Sequence, residues 1–543
     1  MKPQRLSTPR RAPRRRRTLA ALLAGLLALP APWPAVQAQV QAQMQLPALG
    51  ENASDDLSVG NERRIGDQIM REIRADPDYL DDPVLQDYLG SLWRPLVEAA
   101  RRNGEIEPDV DRQFAWESFL VRDRAVNAFA LPGGYVGVYL GMIAVTPTAD
   151  ELASVLGHEL THVTQRHIAR SIAGSQRASM IGLATMVLGI LAAARSNNPD
   201  VAQAAIAGGQ AAAIQGQLNY SRDMEREADR IGFRTMTSAG FAAAGMADMF
   251  EKLQGANRLN DSNEYPYLRS HPLTIERMSE ARSRTMLAGS GADVPTLRSR
   301  LMQARARVLM DGSVPWLQQQ TEQLAAARTG RELPAADRIA TLYGGALAAV
   351  RLRDHARAAA AIDEAQSLAA TLRPREPAGE RELQLLDAEA RVARGDSAGA
   401  LRVLDALAPA GEPRAPMLLR ARAAYARADD GGAARRASVD ALQTWLADHP
   451  RDALAWATLG SVTEVMGLRL RSLRAQAEAH AASGDLIGAI DRLRSAQRLG
   501  REVGSTDFIE ASVIDARLRA LEAQRRERLA EARANGIRGD DLR

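Results

Sequence analysis

The stretch "SVLGHELTHVTQRH", residues 154–167, decides how the rest of this chain is interpreted. It holds three histidines, and two of them, His158 and His162, are four residues apart in a sequence of 543 residues that contains only 7 histidines. On an α-helix, a spacing of four places the two side chains about 40° apart and one turn apart along the axis. Both imidazoles can then reach one metal ion from the same side. The pattern predicts a metal-binding helix; two solvated histidines on a helix face are the simpler alternative.

Glu159 directly follows the first histidine, so it lies about 100° around the same helix. A carboxylate there is close to a bound metal ion without filling a coordination position. It can accept a proton from water and later deliver one to a leaving amine. We therefore expect Glu159 to be catalytic, with one Zn²⁺ per chain as the metal.

A catalytic zinc site needs a third protein ligand, which must be a histidine or a carboxylate because the chain has no cysteine. The histidine-rich metzincin extension requires Gly and His where this chain has Gln165 and Ile168, so that class is excluded. His167 lies about 140° around the helix from His162. We expect it to face away, as a capping residue or at the edge of the core.

A second charged helix, within "YSRDMEREADRIGF" at residues 220–233, offers the missing ligand. Glu225 could close a site of two histidines and one glutamate, with a fourth position left for water. Glu227 competes with it at this point. Asp229 lies one turn after Glu225 and could accept a hydrogen bond from a ligand imidazole, which fixes the tautomer of that ring. Taken alone, such a pair is usually a solvated helix face.

The N-terminus has the layout of a secretory signal peptide. Eight basic residues lie between positions 2 and 17, an apolar run covers residues 19–29, and Val36 and Ala38 are small residues near the expected cleavage site. The run is shorter than the about 20 apolar residues of a membrane-spanning helix. We expect residues 1–38 to be removed on export, with an uncleaved anchor as the alternative.

The charge balance argues against a nucleic-acid partner. The net charge is +4 at pH 7, and removing the eight basic residues of the N-terminal segment leaves about −4. No overall basic surface therefore remains in the exported chain. Since the chain also has no cysteine, disulfides cannot stabilise it outside the cytoplasm.

The first half of the exported chain predicts helices and one β-hairpin. Residues 60–102 carry helical periodicity, and Asp82 with Pro83 forms the N-cap and first-turn proline of a helix. Residues 112–123 are strand-like. The stretch "NAFALPGGYVGVYLGMI", residues 127–143, predicts two strands joined by a Pro-Gly-Gly turn.

Residues 180–194 are almost purely apolar. About fifteen residues are too few to cross a bilayer, so a buried helical hairpin is the simpler interpretation. The alternative is a mobile flap that contacts substrate or binds peripherally to a membrane.

Beyond about residue 296 the sequence is rich in Ala, Leu and Arg and predicts continuous helices. Gly395-Asp396 and Gly484-Asp485 recur as turns, and "WATLG" at 456–460 has the Trp-x-x-Leu-Gly spacing of a tetratricopeptide helix. The turns are irregularly spaced, which indicates degenerate repeats of about 34 residues. We expect residues 300–535 to form an α-solenoid whose concave face holds other proteins, with a generic helical bundle as the alternative.

Four stretches, in this order, resemble the HtpX/CAAX-prenyl-protease/Oma-type family of gluzincin-like metalloproteases: "NAFALPGGYVGVY", "GHELTHVTQRH", "SRDMEREAD" and "SHPLTIER". The resemblance covers about residues 50–290. In that family a Glu-x-x-Ala-Asp spacing marks the zinc glutamate, which implies Glu225 rather than Glu227. The signal peptide and the helical C-terminal region make the chain similar to the soluble periplasmic branch and unlike the membrane-spanning prenyl-protease branch.

The resemblance implies a mainly α fold of the α+β type, with a metalloprotease domain and a small β-hairpin or sheet over residues 50–295, followed by the α-solenoid. It also implies that His271, in "RSHP", lies over the metal. There it would stabilise an oxyanion, or fill the open position and keep the enzyme latent; a histidine packed before Pro272 at a helix entry is the simpler alternative. Arg277 would support that loop. An extended substrate would add as an edge strand beside Tyr135, Val136, Gly137, Val138 and Tyr139.

We therefore expect a periplasmic zinc endopeptidase, soluble or peripheral to the outer membrane. The partners implied by the resemblance are unfolded or stalled polypeptides, outer-membrane β-barrel clients, and their assembly machinery docked by the repeats. The alternative is a chaperone or scaffold in which the repeats do the main work and the zinc site is latent.

Overall fold

The computed structural model describes residues 57–173, 221–259, 265–289, 294–329, 333–407, 414–427, 432–502 and 507–534. The predicted signal peptide, residues 1–38, and the apolar stretch 180–194 lie outside this part of the chain. Among the helices that are described, none combines the length and apolar character needed to cross a membrane.

The first half of the described chain alternates helices with short strands. The helices are α1 (Val59–Ala75), α2 (Pro83–Arg102), α3 (Pro108–Gln113), α4 (Leu140–Val145), α5 (Ala149–Thr164), α6 (His167–Ala173), α7 (Arg222–Ser238), α8 (Ala244–Leu259), α9 (Tyr267–Ser270) and α10 (Ile275–Ala288). The strands are β1 (Tyr79–Leu80), β2 (Glu117–Val121), β3 (Ala128–Leu131) and β4 (Tyr135–Tyr139). The predicted cap is present, because Asp82 accepts a hydrogen bond from the Leu85 N–H at 2.9 Å at the start of α2.

The four strands form one sheet with the order β1-β2-β4-β3. β3 and β4 are antiparallel neighbours, as the Pro-Gly-Gly turn predicts. β2 and β4 are parallel, with Glu117 opposite Tyr135, so β4 is an inner strand. The histidine-bearing helix α5 packs against β3 and against α2, α7 and α8. The sheet and these three helices therefore fix the axis of α5.

The rest of the described chain is helical, as predicted. Its elements are α11 (Leu297–Leu309), α12 (Val314–Thr329), α13 (Ala335–Arg351), α14 (His355–Thr371), α15 (Pro377–Ala393), α16 (Ser397–Ala406), α17 (Arg414–Ala426), α18 (Ala433–Asp448), α19 (Ala453–Val465), α20 (Arg469–Ala482), α21 (Leu486–Glu502) and α22 (Phe508–Ala534). Consecutive helices pack against each other. The mainly α fold with a small sheet is confirmed, whereas the assignment of these helices to tetratricopeptide repeats stays a prediction.

The turns between helices occur at the predicted Gly-Asp steps. Gly395 and Gly484 have positive φ angles of 85° and 89°, a backbone region that glycine adopts without strain. Asp396 then accepts a hydrogen bond from the Gly399 N–H at 2.8 Å and caps α16. Asp485 accepts one from the Gly488 N–H at the same distance before α21. Each step therefore ends one helix and starts the next.

One hydrophobic core runs through both halves of the described chain. Buried side chains of α2 and α5 belong to the same cluster as buried side chains of the helical region, among them Leu89, Leu156, Leu301, Leu347 and Leu386. The sequence boundary near residue 295 is therefore not a gap in the packing. A division into two domains at that point stays a prediction.

Arginines of the helical region bind carboxylates at the start of α2. Arg305 of α11 binds both oxygens of Asp82 at 2.7 Å, and both side chains are buried. Arg414 of α17 binds the two oxygens of Asp81 at 2.8 and 2.7 Å. Bidentate pairs of this kind fix orientation as well as distance. Since α2 also packs on α5, the helical region is joined to the histidine-bearing helix through α2.

Candidate metal centre

Helix α5 lies in the protein interior and carries the two histidines with it. Thr148 caps the helix by accepting a hydrogen bond from the Glu151 N–H at 3.0 Å. Every residue from Glu151 to Thr164 is buried. His158 and His162 are 2% and 1% exposed, so the alternative of two solvated histidines on a surface helix is wrong.

The structure brings four potential donor atoms together around the end of the His158 ring. His158 Nε2 lies 3.0 Å from His162 Nε2 and 3.2 Å from His271 Nδ1. His271 Nδ1 lies 2.9 Å from Glu225 Oε1, which in turn is 3.5 Å from His162 Nε2. The four residues are buried, and their donor atoms all lie within 4.8 Å of one another. We call these four residues the donor cluster.

The geometry of the donor cluster fits a tetrahedral divalent cation. An ion about 2.0 to 2.1 Å from each nitrogen or oxygen holds neighbouring donors about 3.3 Å apart. The separations just given, 2.9 to 3.5 Å, bracket that value. Imidazole nitrogens with one carboxylate oxygen are also a usual donor set for Zn²⁺. The residues present therefore suit a metal ion in both spacing and chemistry.

Two glycines allow α7 to approach α5 closely enough to complete this cluster. A Cβ atom added to Gly232 of α7 would lie 2.9 Å from the carbonyl carbon of Gly157 and 3.0 Å from the His158 nitrogen. No larger residue fits at this crossing without moving one of the helices. Glu225 and Asp229 precede Gly232 on α7 by about two turns and one turn. The crossing therefore sets how far their carboxylates lie from the histidines.

Asp229 and Arg277 hold the parts of the centre in position. Asp229 Oδ1 lies 3.0 Å from His158 Nδ1, which orients that ring and directs its Nε2 to the donor cluster. The Arg277 guanidinium donates to the two oxygens of Asp229 at 2.6 and 2.8 Å and to the Pro272 carbonyl at 2.9 Å. Arg277 therefore ties α7 to the loop that carries His271.

The donor cluster is electrostatically suited to a cation. Burial alone would raise the pKa values of Glu225 and Asp229, but nearby His158, His271 and Arg277 hold both values below the usual range. The two carboxylates in turn raise the pKa of His158 to about 9, against the opposing effect of burial. Burial, followed by the neighbouring His158, lowers the pKa of His162 well below its usual value. The anionic carboxylates of Glu225 and Asp229 therefore favour a positive charge at this position, which a bound cation can supply in place of the His158 proton.

Glu159 is fully buried next to the donor cluster without being part of it. Among the described residues, neither of its carboxylate oxygens has a hydrogen-bond partner. The His271 side chain lies close to this carboxylate, with its Nε2 3.4 Å from Glu159 Oε1. Burial of a carboxylate without hydrogen bonds is costly, and such groups in native proteins usually have a chemical role.

His271 is held on α9 and the loop that follows it. The Tyr267 ring packs on the His271 ring with centroids 4.6 Å apart, and the Tyr267 N–H donates to the Val126 carbonyl at 3.3 Å. His271 is 2% exposed and its Nδ1 lies within the donor cluster. This position favours the role expected at the metal centre over a histidine that merely packs before Pro272. Tyr267 was not singled out in the sequence, because one tyrosine in a loop carries no spacing signal.

The prediction that Tyr135 to Tyr139 offers an edge to a substrate strand is wrong. These residues form β4, which is bonded to β2 on one side and to β3 on the other. All five residues are also buried. No backbone edge of β4 is left for an added strand. The outer strand on this side of the sheet is β3, which packs against α5.

His167 is not part of the donor cluster, in line with the expectation that it faces away from the metal, but it does contact the His162 ring. α5 ends at Thr164, and Arg166 has a φ of 50°, so the chain turns and the helical angle of about 140° no longer applies. His167 Nδ1 lies 2.8 Å from His162 Nδ1, and the ring is completely buried. Glu227, the rejected competitor of Glu225, does not join the donor cluster; its Oε2 lies 3.1 Å from His167 Nε2.

The site identifies the protein as a metalloprotease. A His-Glu-x-x-His pattern on a buried helix, completed by a glutamate from a second helix, is typical of that class. The sequence profile of Peptidase family M48 matches residues 95–285, a range that contains the whole donor cluster. The "Mitochondrial metalloendopeptidase OMA1" of Schizosaccharomyces pombe is 33% identical over 228 residues, 39% of this chain and 57% of that protein.

Relatives with longer alignments identify the family more narrowly. A "Beta-barrel assembly-enhancing protease" from Yersinia pestis is 30% identical over 452 residues, which are 83% of this chain and 87% of that protein. A relative from Vibrio cholerae is 34% identical over 319 residues, 58% of this chain and less than two thirds, 62%, of that protein. The chain therefore belongs to the beta-barrel assembly-enhancing protease family of M48 metalloproteases.

Proposed function

We propose that this metalloprotease is a periplasmic zinc endopeptidase that degrades or supervises misassembled outer-membrane β-barrel proteins. The observation that carries the proposal is the buried donor cluster with the carboxylate of Glu159 beside it. Three imidazoles and one carboxylate favour zinc over harder cations, which prefer oxygen ligands only. The described residues contain one such cluster, which supports one ion per chain.

In this proposal His158, His162 and Glu225 bind the zinc ion. When bound, zinc supplies a Lewis acid for the scissile carbonyl and lowers the pKa of water. Glu159 accepts a proton from the water molecule whose oxygen attacks the scissile carbonyl carbon, and it delivers that proton to the nitrogen of the leaving amine as the C–N bond breaks. Its oxygens have no hydrogen-bond partner among the described residues, so both are available for this transfer. Asp229 keeps the His158 ring oriented throughout.

Of the two roles expected for His271, the geometry supports latency. Its Nδ1 lies at ligand spacing from His158 Nε2 and Glu225 Oε1, at 3.2 and 2.9 Å. A ring there fills the position that a substrate carbonyl or a water molecule needs. Contacts with Tyr267 and Arg277 hold the loop in this arrangement. The proposal therefore describes a resting enzyme, and a substrate reaches the zinc only after the loop moves.

We place the substrate strand against β3 instead of β4. The carbonyl of Asn127 accepts a hydrogen bond from the Tyr139 N–H, so alternate residues of β3 are bonded toward β4. By that alternation, the backbone groups of Ala128 and Ala130 point to the other side, where the sheet has no further strand among the described residues. Binding through main-chain hydrogen bonds is indifferent to most side chains, which suits unfolded or stalled polypeptides.

The sequence and the relatives support the proposed location and clients. The predicted signal peptide would deliver the chain to the periplasm, and the Yersinia pestis relative is described as enhancing β-barrel assembly. Helices α11 to α22 would dock clients or the assembly machinery. A peripheral membrane contact through residues 180–194 and the lack of a nucleic-acid partner remain predictions.

A Glu159→Gln variant tests the proposal. The amide keeps the size of the side chain but cannot accept the proton, so we expect zinc content equal to wild type and loss of casein cleavage. Zinc is measured on the purified full-length proteins, and His158→Ala serves as the control that should lose the metal. Casein cleavage by Glu159→Gln at the wild-type rate would reject the role of Glu159.

Two observations favour a second candidate, a scaffold with a latent metal site. His271 fills the donor cluster, and the helical region is joined to α2 by buried ion pairs, as a permanently closed assembly factor would require. The same Glu159→Gln variant separates the two functions. Rescue of an outer-membrane assembly defect by this variant would favour the scaffold, and failure to rescue would favour the protease.

A further inference from the structure

His167 lies directly behind His162, on the side away from the donor cluster. The chain reaches this position through Arg166, whose left-handed backbone turns α5 into α6. The Arg166 side chain secures the turn, because it donates to Glu62 Oε2 at 2.8 Å and to the Leu57 carbonyl at 2.5 Å. A strained backbone at a non-glycine residue persists only where surrounding contacts fix it.

Two contacts extend from the His162 ring through His167 to a carboxylate. His162 Nδ1 lies 2.8 Å from His167 Nδ1, with the ring planes at 74°. His167 Nε2 lies 3.1 Å from Glu227 Oε2 on α7. His162 and His167 are both buried, whereas the Glu227 side chain is 28% exposed. The three side chains thus form a line from the donor cluster toward the surface.

The order of these contacts determines where the ring hydrogens lie. A carboxylate only accepts, so His167 Nε2 carries a hydrogen and donates it to Glu227. With its hydrogen on Nε2, His167 presents Nδ1 as an acceptor to His162 Nδ1, 2.8 Å away. This contact favours the Nδ1–H tautomer of His162, in which the lone pair of Nε2 faces the donor cluster. This is the form of histidine that binds a metal through Nε2.

The His158 ring is also oriented by a carboxylate, but without an intervening residue. Its Nδ1 lies 3.0 Å from Asp229 Oδ1, so a carboxylate orients the ring directly. For His162 the carboxylate acts through an intervening imidazole. Both histidines of α5 thus have Nδ1 bound on the side opposite to the donor cluster.

We propose that His167 and Glu227 are positioning residues of the metal centre, which hold His162 in the orientation and tautomer that bind a metal ion. The inference rests on the proposed function, in which His162 is a zinc ligand. It assigns a role to two residues outside the donor cluster, which act on the metal through His162.

A purely structural role for Glu227 has to be separated from its proposed role in positioning His162. Glu227 Oε2 also pairs with Arg170 of α6 at 2.9 Å, which fastens α6 to α7. An Arg170→Met variant removes that ion pair and leaves the contacts among Glu227, His167 and His162 in place. It is therefore the matched control.

The test measures zinc affinity of the full-length proteins by competition with a chelator, and the absorption spectrum of the Co²⁺ forms. His167→Phe and Glu227→Ala should weaken zinc binding by about 10- to 100-fold, the usual effect of removing a group that orients a metal ligand. His167→Gln should restore part of the affinity, since its amide oxygen can accept the hydrogen of His162 Nδ1. Arg170→Met should bind zinc like wild type.

The outcomes distinguish the inference from the proposed function. If wild type binds zinc, His162→Ala loses it, and His167→Phe and Glu227→Ala bind it with wild-type affinity and an unchanged Co²⁺ spectrum, the positioning role is wrong and the ligand assignment stands. If wild type itself binds no zinc, the proposed function fails. Should His167→Phe not fold, the part-exposed Glu227 decides the matter through Glu227→Ala.

Discussion

The crossing of α5 and α7 at Gly157 and Gly232 gives the sharpest prediction, the effect of Gly232→Ala. The added methyl group would lie 2.9 Å from the Gly157 carbonyl carbon and 3.0 Å from its oxygen. Carbon atoms in contact prefer separations of about 3.5 to 4.0 Å. Both neighbours are helix backbone, which cannot rotate aside, so the two helices must separate by roughly 0.5 to 1 Å.

The separation has an energetic and a chemical consequence. Overpacking of a tight contact costs about 1 to 3 kcal/mol, and the better helix propensity of alanine offsets about 0.5 to 1 kcal/mol of it. We expect a net loss of about 1 to 2 kcal/mol in the free energy of unfolding. Glu225 and Asp229 move with α7. The distance from Glu225 to the metal position therefore increases by more than the roughly 0.2 Å that a metal site tolerates. Zinc affinity should therefore fall about tenfold or more.

Zinc competition and chemical denaturation of the full-length protein check both effects. Gly90→Ala is the matched control, since Gly90 lies within α2 and a Cβ there would meet no atom within 4 Å. This control should gain about 0.5 to 1 kcal/mol from helix propensity and bind zinc normally. If Gly232→Ala binds zinc like wild type and is equally stable, the glycine contact does not set the geometry of the centre.

Two further predictions concern the junction between α2 and the helical region. Desolvation raises the pKa of Asp87 to about 6, above the ordinary 3.8, although the Ala415 N–H partly offsets it. The folded chain thus binds a proton there that the unfolded chain has released, so ionised Asp87 costs stability above pH 6 and the cost fades toward pH 4. Asp87→Asn should raise the melting temperature at pH 8 by removing a cost of about 3 kcal/mol, and about half of that gain should remain at pH 5. Equal gains at both pH values would contradict this explanation. Arg305→Leu leaves Asp82 charged and buried, so the free energy of unfolding in urea should fall by about 3 to 5 kcal/mol. Adding Asp82→Asn should recover most of that loss, and a double variant as unstable as Arg305→Leu would argue against the ion pair as its source.

The parts of the fold and site that the sequence predicted correctly depend on local spacing. A separation of four residues places His158 and His162 on one helical face wherever that helix packs. Asp82 with Pro83 predicts a helix start, and a Pro-Gly-Gly turn predicts a hairpin, because each acts through the backbone of its own neighbours. Glu225 came from a family resemblance rather than from spacing, since Glu227 was equally eligible by position alone.

The parts that the sequence did not predict depend on long-range contacts or on one backbone angle. The parallel pairing of β2 with β4 makes β4 an inner strand, and no hairpin signal contains that information. The position of His167 depends on the left-handed Arg166, a conformation in which arginine is uncommon. The arginines that bind α2 could not be chosen from sequence either, because arginine is abundant along the whole chain.

The acidic start of α2 limits how this protein could be rearranged, in evolution or in the laboratory. A gene shortened after residue 295 would encode Asp81, Asp82 and Asp87 without the guanidinium groups and the N–H that now receive them. Such a fragment would carry three uncompensated acids beside a newly exposed apolar face, right behind the helix of the metal site. The helical region therefore cannot simply be exchanged for another one. Such an exchange requires redesigning α2 at the same time.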